Sequence, residues 1–239
     1  MELTKGKVHF ICVNVGTAYN MGQSRHSFYA ERLWHGIDSH YQGDWDFTII
    51  CDRKPPYRGF PSEKRLVKDE ILSEKHMDRR LKKNWFWWAK ITLFNPAIWR
   101  GVEGDTVVYI DLDSVIVNDL TPLTKLKGFC MIDCRGSRNP KNVFGSGVMV
   151  FPAGTHPEIY KDFMIQHRRR WPQGDQQFIA KSIGHENITP IHESMVALYK
   201  FHGRLHGPGK ECIIAFHGSP KPHQLPREDW AYKVWLGKS

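Results

Sequence analysis

Five residues that favour extended backbone, Thr106-Val107-Val108-Tyr109-Ile110, run without a polar break into Asp111-Leu112-Asp113. A strand that stays apolar until its last residue is covered on both faces, as a central strand of an α/β sheet is. A second such run, Val8-His9-Phe10-Ile11-Cys12-Val13, ends at the polar turn Asn14-Val15-Gly16-Thr17-Ala18-Tyr19-Asn20. Phe28, Leu33, Trp34 and Ile37 then fall at helical spacing, which predicts a helix over about 21–41. Residues 45–51 predict the next strand, closing at Asp52. Strand, helix, strand in so short a stretch is the opening unit of a doubly wound sheet.

The later pattern is consistent with that start. Phe86, Ala89, Lys90, Leu93 and Phe94 predict a helix that stops near Asn95-Pro96. Further strands are predicted at 129–132, 148–151 and 211–216, and helices at 156–170 and 173–183, split by Trp171-Pro172. No repeat, low-complexity tract or linker divides the chain. The expectation is one α/β domain over residues 1–239, with a mainly parallel central sheet and helices on both faces.

Composition narrows the classes. Hydrophobic residues make up 41%, with 9 Trp and 13 Phe, which excludes a disordered chain. The apolar run from Val8 to Val15 is too short to span a bilayer and has no cleavage site behind it. Of the five cysteines, Cys12, Cys51 and Cys212 lie inside apolar runs as small hydrophobes, and the spacing of Cys130 and Cys134 does not suit zinc. A reducing, cytoplasmic compartment is expected. The formal charge of +9 favours an anionic partner: nucleic acid, a membrane surface or a phosphorylated small molecule.

Asp111 and Asp113 stand two apart at the end of a buried strand, so strand alternation points both carboxylates one way and Leu112 the other. Two neighbouring carboxylates repel unless a cation sits between them or one takes a proton. Ligands of open α/β sheets bind beyond the carboxyl ends of the strands, where this pair falls. Hard oxygen donors suit Mg2+ or Mn2+ bridging to substrate phosphates. The competing reading is a solvated Asp-x-Asp turn. His217 follows the apolar run Ile213-Ile214-Ala215-Phe216 and opens a loop with Gly218 and Lys221. A neutral imidazole there is a candidate third ligand that tilts the choice towards Mn2+. Lys221 can meet diphosphate oxygens as a point charge, and Gly218 lets the backbone approach them. An ordinary surface or core histidine is the alternative for His217.

Taken together, Ile110-Asp111-Leu112-Asp113, Gly145-Ser146-Gly147-Val148-Met149, Gly174-Asp175-Gln176-Gln177 and Phe216-His217-Gly218-Ser219-Pro220-Lys221-Pro222 resemble the GT-A glycosyltransferases. The match holds in order and rough spacing over most of the chain. The branch it is most similar to is the glycogenin and bacterial lipopolysaccharide galactosyltransferase group (family 8-like). The resemblance implies a nucleotide-sugar donor, with UDP as the nucleotide, and transfer of a hexose with retained configuration. It makes Asp111, Asp113 and His217 the metal ligands, with Leu112 between the acids, and Lys221 and Gly218 the diphosphate contacts. It assigns Asn14, Val15, Gly16 and Tyr19 to the base and ribose with Asp52 nearby, Lys90 to the donor, and Asp175 and Gln176 to the catalytic, sugar and acceptor side. Gly145 stands where that group has Asn, and Gln177 where it has an acid. For Asp175, the carboxylate of a helix N-terminus is an equal alternative.

Two other classes compete. Arg79-Arg80, Lys82-Lys83 and His167-Arg168-Arg169-Arg170, near Trp85-Phe86-Trp87-Trp88, could follow phosphates and stack bases of a nucleic acid, though a solvated face and a core explain them as well. A nucleotidyltransferase would also place acids at a strand end, but no Gly-rich phosphate loop is present. The residues favour a nucleotide sugar, with an unspecified glycan, lipid-linked or protein acceptor. The basic surface then serves for attracting the donor or for peripheral contact with an anionic surface.

Overall fold

The computed structural model describes residues 5–15, 26–51, 65–67, 85–135, 143–166, 174–203 and 207–238. The elements are β1 (Val8–Asn14), α1 (His26–His40), β2 (Trp45–Cys51), β3 (Arg65–Val67), α2 (Trp85–Trp88), β4 (Thr106–Ile110), β5 (Val115–Ile116), α3 (Thr121–Thr124), β6 (Phe129–Asp133), β7 (Phe144–Pro152), α4 (Pro157–Gln166), α5 (Asp175–Ile183), β8 (Ile188–Ile191), β9 (Val196–Leu198), β10 (Ile213–Ala215) and α6 (Trp230–Trp235). Seven strands form the central sheet in the order β3-β2-β1-β4-β7-β6-β8, and β5-β10-β9 form a small second sheet. β3, β2, β1 and β4 are parallel, as are β6 and β8; β7 alone runs against both its neighbours. The mainly parallel α/β architecture expected from the apolar runs is therefore present.

Alternation along the strands builds a core on each face. Phe10, Cys12, Val108 and Ile110 face α1, where Ala30, Leu33 and Ile37 cover them, and the small sheet completes this core. Ile11, Val107, Tyr109 and Met149 face the opposite way, under Trp88, Ile91, Ile159 and Phe178 from α2, the segment after it, α4 and α5. An aromatic stack lies within this second core: Phe129 on Phe151 at 5.4 Å and 18°, Phe94 on Phe151 at 5.6 Å, and Trp99 edge-on to Phe151 at 6.4 Å.

Several expectations need correction. The helix over 86–94 is α-helical only at Trp85–Trp88 and continues as two 3-10 segments, Ala89–Phe94 and Pro96–Trp99. Pro96 forces Asn95 into extended backbone, so an α-helix could not run through it. The strand expected at 148–151 runs over nine residues from Phe144, and that expected at 211–216 is confined to Ile213–Ala215. β3, β5, β8 and β9 were not anticipated. Of the predicted helices, α4 is described to Gln166 and α5 begins at Asp175. Residues 21–25, 167–173 and the basic run at 79–83 lie outside the described residues. No helix among the described residues is long and apolar enough to cross a membrane. The aromatic stack carries a direct expectation. Phe151→Ala removes its central ring from a site only 1% exposed and lowers unfolding free energy by about 4 kcal/mol, read by urea denaturation.

Candidate active site

β1 has parallel partners on both sides, β2 and β4, so successive connections leave it in opposite directions, and a crevice opens at the carboxyl ends of β1 and β4. A cavity of about 510 Å3 occupies it, within the size range of ligand sites. Its lining includes Val13 and Val15 at the end of β1, Trp87 and Lys90 from α2 and the segment after it, Tyr109 and Asp111 to Asp113 from β4 and its turn, Ser146 from β7, Asp175 and Gln176 from α5, and Phe216, His217, Gly218 and Lys221 after β10.

The first side-chain network centres on Lys90. Its ammonium lies 3.0 Å from Asp111 Oδ2, 3.3 Å from Asp175 Oδ2 and 3.1 Å from Ser146 Oγ. Ser146 donates to Asp175 at 2.7 Å, and the Tyr109 hydroxyl donates to Asp111 Oδ1. Burial works against the charge on Lys90, but the Asp111 and Asp175 carboxylates outweigh it and hold the pKa above the usual lysine value. Burial pushes the Asp111 carboxyl above the usual carboxylate range against the pull of Lys90, and the charge of Asp113 adds to the rise.

Backbone irregularities place these groups. The β6–β7 register shifts between Met131 and Ile132, so residues 146–148 of β7 have no partner on β6. Bulges re-aim side chains, and this one carries Ser146 towards Lys90 while the Gly147 carbonyl accepts from the Asp111 amide at 2.7 Å. Gly174, at φ 80°, makes the left-handed turn that sets Asp175 at the start of α5.

The second network surrounds Asp113, which is 2% exposed. Lys221 donates to its Oδ2, and the Lys221 amide is fixed by Gln224 Oε1 at 2.8 Å. His217 has one ring face against Phe201, centroids 5.7 Å apart and 19° from parallel. Partial desolvation there, with the Lys200 and Lys221 charges, holds its pKa below the usual histidine value, so the ring is neutral.

Of the residues singled out in the sequence, Val15, Lys90, Asp111, Leu112, Asp113, Asp175, Gln176, His217, Gly218 and Lys221 all border this cavity. Asn14 is buried at the end of β1, opposite Cys51, and does not line it. Gly16, Tyr19 and Asp52 lie outside the described residues. The reason given for pairing Asp111 with Asp113 is corrected: β4 ends at Ile110, and Asp111 to Ser114 form a turn closed by Ser114 N to Asp111 O at 3.0 Å. The turn, not strand alternation, brings both carboxylates to one cavity.

Sequence reasoning gave no site role to Tyr109 or Cys134 and took Ser146 only as part of a glycine motif and Trp87 only as one of the Trp85–Trp88 rings, yet all four line the cavity. Tyr109 was legible, two residues before Asp111 on one strand face. Trp88 is core, stacked on Phe163 at 5.1 Å, whereas Trp87 is 45% exposed at the cavity.

Among the described residues no three His, Cys, Asp or Glu side chains are grouped closely enough to hold a metal ion as they stand. Lysine ammoniums sit against both aspartates of the turn instead. The donor chemistry nevertheless fits a hard divalent cation: two carboxylates, one raised in pKa by burial and by its neighbour's charge, and a neutral imidazole on the same cavity.

The Lys90 network has a measurable energetic consequence. Lys90→Met leaves buried Asp111 and Asp175 without their shared cation and lowers stability by about 3 kcal/mol at neutral pH. The folded-state pKa of Asp111, already raised, rises further above its unfolded value. The penalty is thus absent below about pH 4 and grows as pH increases. Urea unfolding of wild type and variant shows a gap that narrows on acidification.

Comparison of the sequence with protein-family models and with curated proteins gives no match. Solved structures do match. The galactosyltransferase LgtC, in complex with donor and acceptor sugar analogs, superposes with a TM-score of 0.68 at 12% identity, covering 96% of this chain and 94% of that one. The bifunctional glycosyltransferase WbbM in its apo structure gives 0.67 at 13% identity, covering 98% of this chain and 51% of that one. The apo form of the glycosyltransferase GlyE of Streptococcus pneumoniae TIGR4 gives 0.64 at 12% identity, with 97% and 60% covered. The fold of this chain is the GT-A glycosyltransferase fold.

Proposed function

We propose that this chain is a glycosyltransferase, one GT-A domain that moves a sugar from a nucleotide-sugar donor, a UDP-sugar first, to a hydroxyl acceptor. A divalent cation, Mn2+ ahead of Mg2+, would be held by Asp111 and Asp113 with His217 as third ligand. The observation that supports this reading is the convergence of two aspartates, two lysines and a neutral histidine on one cavity at the carboxyl ends of β1 and β4, in a GT-A fold. Bound, the cation supplies Lewis-acid stabilisation of the leaving diphosphate.

The remaining work falls to the chain's own groups. Asn14, Val15, Gly16, Tyr19 and Asp52 are assigned to the base and ribose. Lys221 exchanges Asp113 for diphosphate oxygens, and Gly218, at φ 64°, offers its backbone beside them. Lys90 pairs with Asp111 and Asp175 and fixes them, so the acids need no reorganisation when the donor arrives. Asp175 and Gln176 orient the sugar and the acceptor hydroxyl. Trp87 offers an aromatic face to the sugar ring and, with Phe201, keeps water from the anomeric carbon. The positive net charge suits an anionic acceptor or peripheral contact with an anionic surface, on the cytoplasmic side.

The test uses donor hydrolysis, which requires no choice of acceptor. Across a panel of nucleotide sugars with Mn2+, Mg2+ or EDTA, one nucleoside diphosphate is released in a metal-dependent manner. Asp113→Ala, folded as judged by circular dichroism, loses at least about a hundredfold in turnover. Undiminished turnover in that variant, or folded wild type that neither binds nor cleaves any donor, removes the proposal.

A further inference from the structure

Lys200 lies on the π-helical turn Tyr199–Gly203 directly after β9. β9 and β10 are parallel with Leu198 opposite Ala215, so the two segments continue side by side beyond their ladder. Two ring pairs tie them together: Tyr199 on Phe216 at 4.3 Å and 16°, and Phe201 on His217 at 5.7 Å and 19°. Lys200 sits between these pairs, so its backbone is fixed against the loop that carries His217, Gly218 and Lys221. Its Nζ comes within 3.2 Å of the point a Cβ on Gly218 would occupy.

Two lysines line the cavity, Lys90 and Lys221, and Lys200 lies beside Gly218 at its edge; the three have different partners. Lys90 is engaged by Asp111 and Asp175, and Lys221 by Asp113. Among the described residues no carboxylate pairs with Lys200. Its Nζ faces the backbone of Gly218 instead, on the loop that also carries His217 and Lys221. An exposed ammonium on the same loop edge as Lys221 is a local concentration of positive charge that an anion relieves.

We infer that Lys200 is a positioning residue for the departing nucleoside diphosphate, contacting its phosphate oxygens over Gly218. This rests on the glycosyltransferase reading and extends it. In the transfer, the bond from the anomeric carbon to the phosphate oxygen breaks with its electron pair staying on that oxygen. The acceptor oxygen bonds to the carbon, and the acceptor's proton goes to solvent. The diphosphate passes from about two negative charges as the sugar ester to about three when free near neutral pH. An ammonium at this place therefore favours the leaving group over the intact donor, which is the differential binding that catalysis requires.

The experiment compares wild type, Lys200→Gln and Lys200→Arg by calorimetry in Mn2+. The ligands are the nucleoside diphosphates of uridine, guanosine, adenosine and cytidine, and the sugar nucleotide matching the one bound best. Lys200→Gln weakens free diphosphate binding about tenfold and intact donor binding by a clearly smaller factor, while Lys200→Arg restores both. Unchanged diphosphate affinity in Lys200→Gln, or an equal loss for both ligands, overturns the inference and leaves the glycosyltransferase reading standing. Wild type that binds no nucleoside diphosphate overturns that reading and this inference with it.

Discussion

The ammonium of Lys90 is the interaction on which the rest of the site depends. It joins the 3-10 segment after α2, the end of β4, the β7 bulge and the first turn of α5 at one point, through Asp111, Ser146 and Asp175. Two carboxylates this deeply placed would repel one another, and desolvation would drive protons onto them. With the lysine between them the acids are held at positions the backbone dictates. The cost is a buried charge cluster where apolar packing would stabilise the fold at least as well. Such a cluster is retained where its geometry has a use, and here it borders the cavity of about 510 Å3.

That use depends on the irregular backbone as much as on the charges. A regular β7 would keep Ser146 in the ladder with β6, away from Lys90; the register shift frees it. A strand continuing through Leu112 would spread Asp111 and Asp113 along a face. The turn closed by Ser114 instead puts one acid against Lys90 and the other against Lys221. The site is thus two half-networks held apart by a tight turn, each with its own lysine.

The sequence disclosed the parts of this arrangement that depend on burial alone. β1, β2 and β4 were legible because each is an apolar run covered on both faces, and the acids after β4 stood out by contrast. β3, β5 and β9 have two or three residues each, too few for any periodicity, and β10 was legible only through the longer apolar run around it. The residues at 89–94 are as apolar as an α-helix requires, and Pro96 with tertiary packing decides for 3-10. In the site, Asp111, Asp113, Asp175, His217 and Lys221 were named from chemistry and motif order, and all meet at one cavity. Ser146 was seen only as part of a glycine motif, because its role comes from a register shift that leaves no mark in composition. Lys200 was invisible for a similar reason: its place follows from the pairing of β9 with β10, a contact between strands too short to read.

The ion pairs of the resting cavity have a further consequence. Three aspartates, Asp111, Asp113 and Asp175, face two paired lysines, Lys90 and Lys221, so the interior carries close to one net negative charge. Such a cavity attracts a cation more than it attracts a diphosphate. Lys200, beside Gly218 at the cavity's edge and paired with no carboxylate among the described residues, adds a charge of the opposite sign there. A ligand that is anionic at one end and brings or meets a cation suits both halves at once, whereas a plain polyanion suits only the rim. Lys221 stands at the boundary between the two fields. Paired with Asp113 it balances the charge of the turn, and on the glycosyltransferase reading the same ammonium would serve the diphosphate. If Asp113 takes a cation on that reading, the lysine's move to the diphosphate would be coupled to its binding. Cation and donor would therefore each strengthen the binding of the other, without any change in the fold.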